Sequence, residues 1–114
     1  MINKDNKGKL VYICSPYKDN IKRNIEIAKK ISVDVFNKGL LPLCLHSFLE
    51  DVTELKEDFD RPFIIKTCLD YLNKCDMIIV NFDSKISPGM QIEMDYAIKM
   101  GIPFLDYSGG KVIG

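Results

Sequence analysis

Glu93 is the residue whose position calls for a chemical reason. It lies in the run ISPGMQIEMDYAIKM, residues 86–100. Steps of about 100° per residue from Met90 put Gln91, Asp95 and Lys99 at roughly 100°, 140° and 180°, one narrow polar stripe of a helix. Glu93 falls at roughly 300°, beside Gly89, Met90, Tyr96 and Ala97, within the apolar arc. A buried carboxylate without a partner costs several kcal/mol, so stability alone does not place one there. The helix start lies less than two turns away, and its positive end favours the ionised form. Such a carboxylate is a nucleophile or a general base, or a structural group satisfied by Arg61, a tyrosine or a backbone amide. Ser87 and Pro88 read as the cap and first residue of the helix. The free amides from Ser87 to Met90 suit an anionic group or a hydroxyl, and Gly89 lets a ligand approach the backbone.

These residues need a scaffold, and the apolar pattern supplies one. Leu10–Cys14 (LVYIC) reads as a strand broken by Ser15-Pro16-Tyr17. Asp19 or Asn20 then caps a helix to about Lys38, with Ile21, Ile25, Ala28, Ile31 and Val35 at helical spacing and Gly39 at its left-handed end. Leu40–Leu45 is a second strand, placed at a sheet edge by Pro42. His46–Asp60 reads as a long acidic loop, holding a helical turn at most, and loops of that length are usually functional. A helix follows over Arg61–Lys74. Met77–Phe82 is the most apolar strand and hence central, and the Glu93 helix ends at Gly101. Ile102–Tyr107 is a fourth strand, and Lys111–Ile113 adds a short fifth. Alternating strands and helices predict an α/β fold: a single-domain, doubly wound, flavodoxin- or Rossmann-like sheet of four to five mainly parallel strands, with helices on both faces. Residues 1–9 are expected to be a disordered polar tail and 10–114 the domain. Ligands of such sheets bind beyond the carboxyl ends of the strands. The segments to search are therefore Ser15–Asp19, His46–Phe48 and Asp83–Met90.

The composition narrows the partners. The chain has 114 residues, with 16 Lys plus Arg against 16 Asp plus Glu. A balanced charge argues against nucleic-acid polymers, which require a basic surface, but leaves room for a single nucleotide. It also gives little self-repulsion. No stretch approaches the roughly 20 apolar residues of a membrane span, and no export signal is legible. The four cysteines form no CxxC pair and there is one histidine, so neither a metal nor a cofactor is expected. Four reduced core thiols in a cytoplasmic protein is the simplest reading.

VYICSPY (Val11–Tyr17), Asn24, the Pro42 to His46 stretch, Cys75-Asp76 and ISPGMQIEMDYAIKMGIP (Ile86–Pro103) occur in this order. Together they resemble the nucleoside 2-deoxyribosyltransferase-like superfamily over about Leu10–Tyr107, and most of all its small bacterial and phage branch. The resemblance implies a glutamate that attacks C1′ of a deoxyribosyl nucleoside or nucleotide, forming a glycosyl-enzyme ester that a second base or water resolves. It implies Glu93 as that nucleophile, Tyr12 as the residue orienting it, and Ser15 and Ser87 as holding the sugar or phosphate end. Relatives carry an aspartate on the helix before the third strand. Here Thr67 or Cys68 stands near that position, and Asp83 is the substitute as acid.

Five further residues complete the expected site. His46 suits a phosphate or base edge. Tyr17 suits base stacking. Pro16 and Asn24 belong to the same crevice segment and helix start, and Met90 lies beside Gly89. Asp76 lies at the opposite end of the sheet and reads as structural. Two functions compete: an enzyme that cleaves or transfers an N-glycosidic bond, and a module that binds or senses a nucleotide without turnover. The short chain has no lid, and relatives complete the pocket with a neighbour, so a homodimer or higher oligomer is expected.

Overall fold

The computed structural model describes residues 6–49 and 61–114. The acidic stretch Glu50–Asp60 and the side chain of Arg61, an expected partner for Glu93, lie outside the described residues. Five strands and three named helices follow in chain order: β1 (Leu10–Cys14), α1 (Ile21–Asn37), β2 (Leu41–Leu43), α2 (Arg61–Asn73), β3 (Met77–Asn81), α3 (Pro88–Met100), β4 (Phe104–Ser108) and β5 (Lys111–Ile113). The strands form one sheet in the order β2-β1-β3-β4-β5, parallel except for β5, which pairs antiparallel with β4. The predicted α/β sheet is therefore the observed one. β3 is central, and β2 lies at the edge that Pro42 predicts.

Alternation along the strands divides the core. Val11, Ile13, Met77 and Ile79 point to one face and pack on Ala28, Ile31 and Val35 of α1. Tyr12, Cys14, Ile78 and Val80 point to the other, against Cys68 and Leu72 of α2 and Met90 and Ala97 of α3. The chain leaves β1 towards β2 and leaves β3 towards β4, so the strand order reverses between β1 and β3. A crevice opens there beyond the carboxyl ends of both strands. Asn81 Nδ2 donates to Ser15 Oγ across it (3.1 Å, buried).

Several local details differ from expectation. Asn20 occupies the cap position of α1 at φ 79°, but its side chain makes no capping bond. Asn24 holds that corner instead, with Nδ2 directed at the carbonyls of Tyr17, Lys18 and Asp19 (3.2, 2.7 and 3.2 Å). Gly39 is left-handed (φ +85°), as its position predicts. β2 stops at Leu43, and residues 46–49 are helical. Ahead of β1, Gly8 N donates to Gly39 O (2.7 Å). On α3 the apolar arc is wider than the face it buries: Met90 and Ala97 are buried, whereas Ile92, Ile98 and Met100 are exposed. Asp76 Oδ2 accepts from Leu10 N (2.8 Å), a structural role at the amino end of the sheet.

Ile79 has no exposed surface and sits mid-strand in the α1-side core. Ile79→Ala is expected to lower unfolding free energy by about 3 kcal/mol in a urea titration, with the slope unchanged.

Candidate active site at the strand-order reversal

A cleft of about 680 Å³ occupies this crevice. β1 and the loop after it supply Tyr12, Ser15, Pro16, Tyr17, Lys18 and Asp19. The turn at 46–49 supplies His46, and Lys85 to Glu93 supplies Ser87, Gly89 and Met90. Asn24 and Cys68 complete the polar part of the lining.

Glu93 is reached from β1. Tyr12 is the inward residue of its strand on the α2/α3 face, and its hydroxyl donates to Glu93 Oε2 (2.5 Å). Burial raises the Tyr12 hydroxyl well above its usual range, and the nearby Glu93 charge adds to this, so the proton stays available for donation. Burial pushes the Glu93 carboxyl up to about 7, against the hydrogen bonds from Tyr12 and Cys14 and the charge of His46. The side chain opens partly on the cleft, yet the surrounding protein desolvates the carboxyl. The group therefore titrates near neutrality, where both a nucleophile and a general base operate.

Around this centre the polar atoms are already engaged. Ser15 Oγ accepts from Asn81, and its carbonyl accepts from His46 Nε2 (2.8 Å). The Tyr17 ring meets the His46 ring edge-on at 6.1 Å. Ser87 caps α3, with Oγ accepting from Met90 N (3.2 Å). A Cβ added to Gly89 would meet Ser87 Oγ only at 4.0 Å, so packing does not demand glycine there; its smallness widens the cleft. Cys14 Sγ approaches Met90 O (3.8 Å). Among the described residues no group of three His, Cys, Asp or Glu could hold a metal ion.

Asp83 is not brought to the cleft. Its two oxygens accept from Gly109 N (2.7 Å) and Gly110 N (2.8 Å) and fasten the β4–β5 turn to the end of β3. Expected as the acid at the leaving group, it is instead a clamp on two left-handed glycines, an arrangement that sequence spacing does not reveal. Between the two residues near the relatives' aspartate position, Cys68 lines the cleft, while Thr67 donates to Phe63 O (2.8 Å). Burial and the Glu93 charge push the Cys68 thiol up to about 11, so it keeps its proton. Lys18, Asp19 and Lys85 also line the cleft; they fall inside the segments expected to border it, though the sequence does not single them out as site residues. Their signal was adjacency to Tyr17 and Ser87 in the same loops.

The family described as Domain of unknown function (DUF7768) matches residues 9–107. The chain belongs to this family. No curated protein matches it by sequence. Among solved structures it is similar to a 2-desoxiribosyltransferase from Leishmania mexicana, with a TM-score of 0.63 and 20% identity over 86% of this chain and 63% of that one. It is also similar to a 2-deoxyribosyltransferase from the psychrotolerant bacterium Bacillus psychrosaccharolyticus, with a TM-score of 0.60 and 17% identity over 88% and 74% of the two chains. The chain thus spans less than two thirds of the Leishmania protein. At these identities the likeness establishes that this DUF7768 chain shares their fold.

Two outcomes follow from the geometry. A carboxyl raised in the folded state stabilises the fold only while protonated; that contribution is complete below the unfolded value near 4.5 and lost as pH rises through about 7. Glu93→Gln is therefore expected to be more stable than the parent at pH 8 in denaturant melts, by up to about 3 kcal/mol, with little difference at pH 4. Asp83→Ala is expected to cost about 1–2 kcal/mol in denaturant melts and to free the β4–β5 turn in amide exchange.

Proposed function

We propose that the chain cleaves or exchanges the N-glycosidic bond of a (deoxy)nucleoside or nucleoside monophosphate, with Glu93 as nucleophile. The observation that carries this reading is the Tyr12 to Glu93 hydrogen bond, which aims one carboxylate into a cleft at the strand-order reversal. The fold shared with two 2-deoxyribosyltransferases supports it. In this reading the free Glu93 oxygen attacks C1′ while the C1′–N bond breaks, its electron pair leaving with the base. The oxocarbenium-like charge develops against the carboxylate. Water or a second base then attacks C1′ and returns the carboxylate to its bond with Tyr12. Tyr12 positions the nucleophile and spreads its charge. Tyr17 offers a ring to the base, and Ser15, His46, Ser87, Gly89 and Met90 shape the pocket for the sugar end. Lys18 and Lys85 at the lining favour a substrate bearing phosphate.

The protein working in this way is a cytoplasmic homodimer or higher oligomer. Ile98 and Met100 near the end of α3 are exposed apolar side chains available to such a contact. No helix among the described residues is long and apolar enough to cross a membrane. A second reading, a nucleotide-binding module without turnover, is favoured by one observation: Asp83, the expected acid, is spent on the β4–β5 turn.

The two readings separate on base release. Deoxynucleosides and their 5′-monophosphates are incubated with the protein, and free base is followed by chromatography. Release is expected to rise with pH through about 7 as Glu93 ionises. It should fall on the order of a thousandfold in Glu93→Ala. Release that persists in Glu93→Ala overturns the nucleophile, and tight binding without release establishes the module.

A further inference from the structure

The four cysteines are free but not equivalent. Cys14, Cys68 and Cys75 are buried, and burial raises all three thiols: Cys68 and Cys75 to about 11, Cys14 further still. Cys44 is only half-buried, just past the end of β2. Its Sγ lies 3.6 Å from His46 Nδ1, and the ring is fixed from the other side by His46 Nε2, 2.8 Å from Ser15 O. A carbonyl only accepts, so Nε2 carries a hydrogen and Nδ1 is the acceptor of the neutral ring. That acceptor faces the sulfur.

The charges around the pair push the same way. Burial raises the Cys44 thiol, but the contact with His46, helped by the Ser32 hydroxyl of α1, outweighs it and leaves the thiol lowered. Burial lowers the His46 imidazole, but Cys44, the Ser15 carbonyl and the charge of Glu93 on α3 outweigh it and leave the ring raised. The remaining neighbour is the Tyr17 ring, which packs edge-on. A thiolate beside an imidazolium in a partly open position is the setting of a reactive cysteine.

We propose that Cys44 is a modification site, a thiol that His46 deprotonates for oxidation to a sulfenic acid by a small hydroperoxide. The Sγ proton moves to His46 Nδ1. The sulfur attacks one peroxide oxygen; the S–O bond forms as the O–O bond breaks, and the electron pair stays on the departing oxygen. That oxygen takes the proton from Nδ1 and, from hydrogen peroxide, leaves as water. The sulfur loses two electrons and the peroxide gains them. Because His46 lines the cleft and braces Ser15, the modification removes an S–H contact from the cleft wall. The chemistry is independent of the glycosidic reading, since it needs no nucleoside and no bond to Glu93, whose charge alone acts on His46.

The test uses the full reduced chain, hydrogen peroxide at pH 7 and dimedone as the sulfenic-acid trap, with peptide mass spectrometry on all four cysteines. Below its pKa a thiol gains tenfold in thiolate for each unit the pKa falls, so label at Cys44 is expected at about tenfold or more over Cys14, Cys68 and Cys75. His46→Gln, checked for folding by circular dichroism, is expected to slow labelling of Cys44 severalfold. Iodoacetamide alkylation of the parent chain gives a readout that needs no variant, and its rate at Cys44 should inflect below the ordinary thiol value of about 8.5. Label spread evenly over the four thiols, an unlabelled Cys44, an unchanged rate in His46→Gln, or an inflection at pH 8.5 or above would each overturn the assignment.

Discussion

The arrangement depends on keeping a carboxylate out of water on the same sheet face that builds the hydrophobic core. Glu93 shares that face with Tyr12, Cys14, Cys68 and Met90, all of them core residues of the α2/α3 side. A free anion there would be prohibitively costly. A hydroxyl donor on the adjacent strand makes it tolerable without neutralising it. The result is an acid poised between its two forms rather than locked in either. The position of α3 follows from this constraint. Its Ser87 cap and Pro88 start set the helix so that the second turn, where Glu93 sits, lies over β1 and not out in solvent.

The same end of the molecule is reinforced from below. Asn81 at the tip of β3 reaches Ser15 at the tip of β1, His46 holds the Ser15 carbonyl, and Asn24 gathers the three carbonyls of the following turn. Loop residues after parallel strands are ordinarily the least constrained part of such a fold. Here side-chain amides and an imidazole tie them to the end of β3, to the 46–49 turn and to α1.

Much of this was legible in the amino-acid order. The strands announced themselves as apolar runs, Pro42 marked an edge, and Ser87-Pro88 and Gly101 bracketed α3 through local backbone chemistry. The awkward placement of Glu93 was legible because helical periodicity is a local property. What escaped was long-range. Nothing near Asp83 indicates that its oxygens meet Gly109 and Gly110, because that contact exists only once β4 and β5 have folded back. Asn24 reads as a crevice residue, and its hold on the carbonyls of Tyr17, Lys18 and Asp19 emerges only once the preceding turn closes over it. The pairing of Cys44 with His46 has the two-residue spacing of a strand, yet its meaning rests on Ser15, which fixes the ring from the loop after β1.

The sheet also limits how this chain can meet other chains. Both of its edges are three-residue strands, β2 interrupted by Pro42 and β5 turned antiparallel. Neither offers a long ladder of unpaired amides, so strand addition at a sheet edge finds little purchase. The molecule is shielded from fibre-like growth along its hydrogen-bonding direction, and contact with a neighbour is left to its helical flanks.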